Sequence, residues 1–115
     1  MSKFIRIPIL NNEYEVIAYF GKPKGLKKVL ERFNYPEVDV HTSVNDKRGV
    51  CFSTEGCHPI IAMPNKPTTP DEIGTLAHEA THAVEAIAKS IGEIMTGEIL
   101  AHSIGAIVRE VLKKC

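Results

Sequence analysis

The segment His78-Glu79-Ala80-Thr81-His82 sets two imidazoles four residues apart, with a carboxylate beside the first. In a helix, positions four apart differ by about 40° around the axis and one turn along it, so both rings can point at a common ion. Two such nitrogens suit zinc, which in a catalytic site takes a third protein ligand and leaves a fourth position for water. Glu79 falls on the flank of the pair. A carboxylate there reaches a water held by the metal without ligating the metal itself, which is where a general base must stand. At about 100° per residue, the apolar stripe of this helix centres about 210° from the histidines, which therefore face away from the core. Glu85 and Lys89 share their side, so the bland use of this face is simple solvation.

The elements around the motif are legible. Thr69-Pro70-Asp71-Glu72 combines a capping threonine, a proline at the first helical position and a glutamate three residues after the cap, so a helix is expected to begin there. Ile73, Leu76, Ala80, Val84, Ile87 and Ile91 form its stripe, and Gly92 is a plausible end. Ile94, Leu100, Ile104, Ile107, Val108 and Val111 give a last helix its own stripe, with Lys113-Lys114 suited to its C-terminus. The second half is thus expected to be an αα-hairpin. Opposite the last stripe runs a row of Glu98, His102, Gly105 and Arg109. A turn near Ile91-Gly92 returns Glu98 and His102 to about the height of His82, so either can complete the site. Helical side chains lean toward their own N-terminus, which tilts Glu98 toward the tip and makes His102 its rival by geometry.

Upstream, Phe4 to Leu10 and Tyr14 to Phe20 read as two strands joined by a polar turn at Asn11-Asn12. Leu26, Val29, Leu30 and Phe33 have helical spacing, and Pro36 stops that short helix. The pattern weakens over 37–47. Gly49 to Ser53 looks extended, Thr54-Glu55-Gly56 turns the chain, and His58 to Met63 is a second extended run. Pro59 removes one ladder donor from that run, which suggests an edge strand or its first residue. His58 and His41 are the remaining histidines that could approach a substrate carbonyl as electrophiles, although each is more often a polar surface residue.

The chain has 115 residues, enough for a single domain spanning 1–115. Fourteen basic and fourteen acidic residues cancel, which gives no basic field for nucleic acid or an anionic bilayer. The N-terminus has no apolar signal core, and no run approaches membrane-spanning length, so a cytoplasmic location is expected. Three cysteines, Cys51, Cys57 and Cys115, fit reduced thiols in or beside a strand better than a disulfide framework.

Taken together, His78-Glu79-Ala80-Thr81-His82 and Gly97-Glu98-Ile99-Leu100-Ala101-His102 resemble the zincin metallopeptidases, specifically very small gluzincin-like proteins of phages and bacteria. The likeness is strongest over 58–112. It implies that a glutamate on the next helix, here Glu98, is the third zinc ligand. It also implies an edge strand before the active helix that binds substrate backbone, matched by Ile60-Ile61-Ala62-Met63. Larger gluzincins place an acidic residue four positions after the ligand glutamate, where this chain has His102, which then becomes a group behind the ligands. They also stabilise the oxyanion with a His or Tyr from a separate domain, for which this chain has no counterpart.

The expected molecule is an α+β domain. It has a small, mainly antiparallel sheet and one short helix, followed by a two-helix zinc unit packed beside the sheet. Its expected activity is zinc-dependent peptide hydrolysis, with a peptide or protein substrate added along Ile60, Ile61 and Ala62. The alternative is an inactive domain in which the same ligands stabilise an interaction surface.

Overall fold

The structure, a computed structural model, describes residues 3–36, 48–92 and 97–114. The weakly patterned stretch 37–47, with His41, and the start of the last helix at Ile94 lie outside these residues. Strands β1 (Lys3–Ile9) and β2 (Tyr14–Phe20) form the expected hairpin, in register from Lys3 opposite Phe20 to Ile9 opposite Tyr14. The turn between them is wider than an Asn-Asn pair requires. Leu10, Asn11 and Asn12 all take left-handed φ values of 52°, 58° and 66°.

Helix α1 (Pro23–Arg32) starts earlier than its apolar spacing indicates, because Pro23 fills the first turn, where its missing N–H costs nothing. Beyond its last residue the chain turns at Asn34, whose φ is 65°, with Tyr35 N donating to Leu30 O at 3.0 Å. Strands β3 (Val50–Phe52) and β4 (Ile60–Met63) pair antiparallel across the Thr54–Gly56 turn. Helix α2 (Pro70–Ser90) and helix α3 (Gly97–Lys114) then pack against each other.

The sheet order is β1-β2-β4-β3. Two of its three pairings are antiparallel, and the third, β2 with β4, is parallel. This makes the fold α+β with a mixed sheet. The parallel join overturns the edge position expected for Ile60-Ile61-Ala62-Met63. All four residues are buried, and β4 is hydrogen-bonded on both sides, so Ile60, Ile61 and Ala62 have no free edge to offer a substrate backbone. Pro59 precedes the strand, and its carbonyl accepts from Ile17 N at 2.9 Å, so its missing donor says nothing about an edge. Among the described residues the free edge on that side belongs to β3.

Strand alternation divides the core between the two sheet faces. Ile7, Val16, Ala18, Phe20, Ile61 and Met63 pack under Leu76, Ala80, Val84 and Ile87 of α2 and Ile107 and Val111 of α3. Ile17, Tyr19, Ile60 and Ala62 pack under Leu26, Val29 and Leu30 of α1, with Tyr35. The Tyr35 hydroxyl lies 2.9 Å from Phe52 O and 2.5 Å from His58 O, either of which accepts its proton, so the segment after α1 is tied to β3 and to the residues leading into β4. On the other face, α3 lies over β1 while α2 lies over β3 and β4. That offset decides which flank of α2 meets the sheet edge.

Candidate functional site

Helix α2 is held at its start by a reciprocal cap. The Thr69 hydroxyl accepts from Glu72 N at 3.2 Å, and the Glu72 carboxylate accepts from Thr69 N at 3.0 Å. A second donor, Thr68 N, also reaches that carboxylate at 3.0 Å. From this fixed start, two turns bring His78, Glu79 and His82 level with β3. Gly49, Val50, Cys51 and Ser53 form one wall of an open cleft of about 570 Å3, and His78, Glu79, His82, Glu85, Ala86 and Lys89 form the other.

Within the cleft, burial separates the roles. His78 and His82 are exposed, whereas Glu79 is 8% exposed. Leu76, Ala80 and Ala83 anchor the helix on the core side, which leaves the two imidazoles projecting outward from one flank. Their Nε2 atoms are 3.2 Å apart, with the rings nearly perpendicular at 86°. Two nitrogens bound to a tetrahedral zinc at about 2.0–2.1 Å would stand about 3.3 Å apart, so the pair already has chelating separation. The same separation also suits an N–H···N bond between neutral rings, so the donor pair fits a metal without requiring one. His82 Nδ1, on the far side of its ring, lies 3.7 Å from Glu85 Oε1. A carboxylate behind the ring favours the proton on Nδ1 and leaves Nε2 as the lone-pair nitrogen, the usual support for a metal-bound histidine.

No protein-family model, curated protein or solved structure matches this chain.

Glu98 and His102 are both exposed on the first two turns of α3, and neither lines the cleft. Their row does face away from the stripe of Ile107 and Val111, as its spacing indicates. However, α3 packs over β1, while the histidines flank β3 at the other side of the sheet. Among the described residues no group of three His, Cys, Asp or Glu side chains is arranged to hold a metal ion. The structure thus brings together His78, Glu79 and His82 but not Glu98 or His102.

His58 is also away from the cleft. Its Nε2 lies 3.7 Å from Glu15 Oε1 and its ring packs edge-on against Phe33, in a surface cluster where Arg6 donates to Glu15 at 2.6 Å.

Cys51 is a cleft residue that motif reading passes over. Burial, with a further contribution from the charge of Glu79, pushes its thiol up to about 12. At neutral pH it is overwhelmingly the protonated thiol, so as a nucleophile it reacts slowly. Glu85, on the same wall, belongs to no motif. Its signal in the sequence is the spacing of three residues from His82, but that spacing acquires meaning only once β3 is known to close this flank. Among the described residues no helix is long and apolar enough to cross a membrane.

Proposed function

We propose that this chain is a zinc-dependent peptidase in which His78 and His82 hold the ion and Glu79 is the general base. One observation carries the reading: the two Nε2 atoms stand 3.2 Å apart in a cleft whose same wall holds the buried Glu79 carboxylate. Zinc held there would supply Lewis acidity to a water and to the scissile carbonyl. Glu79 takes the proton of the attacking water and passes a proton to the departing amine. Glu85 steadies His82 from behind. The substrate backbone adds to the edge of β3, Val50–Phe52, which lies across the cleft from these groups and takes over the part first expected of Ile60, Ile61 and Ala62.

Glu98 is proposed as the third ligand on the strength of the sequence resemblance, with His102 beside it. The exposure of both residues outside the cleft favours a second reading, a zinc-stabilised interaction domain without catalysis. The free thiols Cys51 and Cys57 suit a cytoplasmic setting for either.

Metal analysis tests the ligand assignment. Wild type is expected to carry about one zinc per chain, lost in His78→Ala, His82→Ala and Glu98→Ala and kept in His102→Ala. Loss with His102→Ala alone moves the third ligand to that residue. Substoichiometric zinc in wild type, with a melting temperature indifferent to chelator, refutes both readings.

A further inference from the structure

The first residue of the cleft's strand wall sits unusually close to α2. A Cβ placed on Gly49 would lie 2.9 Å from Thr75 Cγ2, 3.3 Å from Met63 Cγ and 3.4 Å from Glu79 Cγ. Gly49 is not among the residues with positive φ, so the objection to a side chain is space and not backbone strain. Thr75 and Glu79 are four residues apart on one face of α2, so Gly49 is seated against two successive turns, the second of which carries the candidate base. The contacts with Met63 and Glu79 can relax by a few tenths of an ångström, but Thr75 has little freedom. It is β-branched within a helix, and its hydroxyl donates to Asp71 O at 3.1 Å, so swinging Cγ2 aside breaks that bond. A methyl group at position 49 would therefore move the strand.

We propose that Gly49 is a positioning residue: its missing side chain seats the β3 edge directly against the Thr75–Glu79 face of α2 and so sets the width of the cleft. The functional consequence rests on the peptidase reading above. The two cleft walls carry different parts of the reaction, substrate backbone on β3 and base on α2, and their separation is fixed at this contact. Misplacing a reacting group by about 1 Å costs on the order of a hundredfold in rate.

The test compares wild type, Gly49→Ala, Thr75→Ser and the double variant. Thr75→Ser removes the clashing methyl and keeps the hydroxyl that bonds Asp71 O. The first readout needs no activity. In chains with Cys57→Ser and Cys115→Ser, the rate at which an aromatic disulfide reagent modifies Cys51 reports how closely β3 is seated. Gly49→Ala is expected to raise that rate severalfold, and the double variant to restore it. The second readout is peptide cleavage by zinc-loaded protein. Gly49→Ala is expected to lower kcat about tenfold or more, with KM less affected and zinc content unchanged, and the double variant to recover most of the loss.

A folded Gly49→Ala with unchanged Cys51 reactivity, or a double variant no better than Gly49→Ala, overturns the proposal. So does unchanged kcat alongside a lowered melting temperature. If Gly49→Ala alone does not fold, the double variant is compared with Thr75→Ser, and matching thiol rates and kcat are expected. A double variant that remains unfolded, or folds with Cys51 open, is contrary. A wild-type protein that binds zinc and cleaves nothing refutes the peptidase reading instead, and the thiol readout then decides the role of Gly49.

Discussion

His82 lies between the Nε2 of His78 on its outer side and the Glu85 carboxylate behind it, so its proton placement is set by its neighbours. Removing the rear carboxylate in Glu85→Gln is expected to weaken zinc binding by about tenfold while leaving the fold intact. A competition titration against a chelator of known affinity measures this, and an unchanged affinity would show that Glu85 is only a surface charge. At this scale the sequence was most informative. The spacing of His78, Glu79 and His82 gives the direction of each side chain once they lie on a helix. The part of Glu85 could not be seen in the same way, because it depends on which flank of α2 meets β3. Glu98 and His102 do not line the cleft, and for a related reason this was not legible: the row they form faces away from the α3 stripe as its spacing indicates, but the side of α2 on which α3 docks is not encoded in the stripe of either helix.

The start of α2 is the element whose chemistry was written most fully in the sequence. Replacing the capping hydroxyl in Thr69→Ala is expected to cost about 1 kcal/mol, read from urea unfolding. The Glu72 carboxyl is held below its ordinary range, first by the hydrogen bond from Thr68 N and then by that from Thr69 N. A carboxyl with a folded pKa below its unfolded value contributes stability that is fully present above about pH 4.3 and is lost as pH falls through the folded value. The melting-temperature difference between wild type and Glu72→Gln should therefore be largest near neutrality and shrink in acid. A difference that stays constant into strong acid would contradict this. Strand β4 is the converse case. Pro59 suggested an edge, yet four consecutive buried residues, Ile60 to Met63, are the pattern of a strand covered on both faces. The parallel pairing of β2 with β4 arises between segments about forty residues apart, and no local signal announces it.

Across the whole molecule, the sheet is clad by α1 on one face and the α2–α3 pair on the other, and the cleft opens where α2 overhangs the β3 edge. The helix pair is held largely by side chains such as Ile107 and Val111, both fully buried over β1 and β2. Ile107→Ala is expected to cost about 2–5 kcal/mol in denaturant unfolding, because the cavity sits between two helices and a sheet that cannot close on it easily. A loss below about 1 kcal/mol would mean that α3 contributes little to the core.

Peptide cleavage by zinc-loaded wild type beside zinc-loaded Glu79→Gln tests the central claim most directly, using a mixed peptide library read by mass spectrometry. The account predicts that wild type cleaves, and that the variant binds zinc equally well, melts at a similar temperature and loses at least about a hundredfold of the rate. Cleavage by Glu79→Gln at the wild-type rate, or none by zinc-loaded wild type, would contradict it.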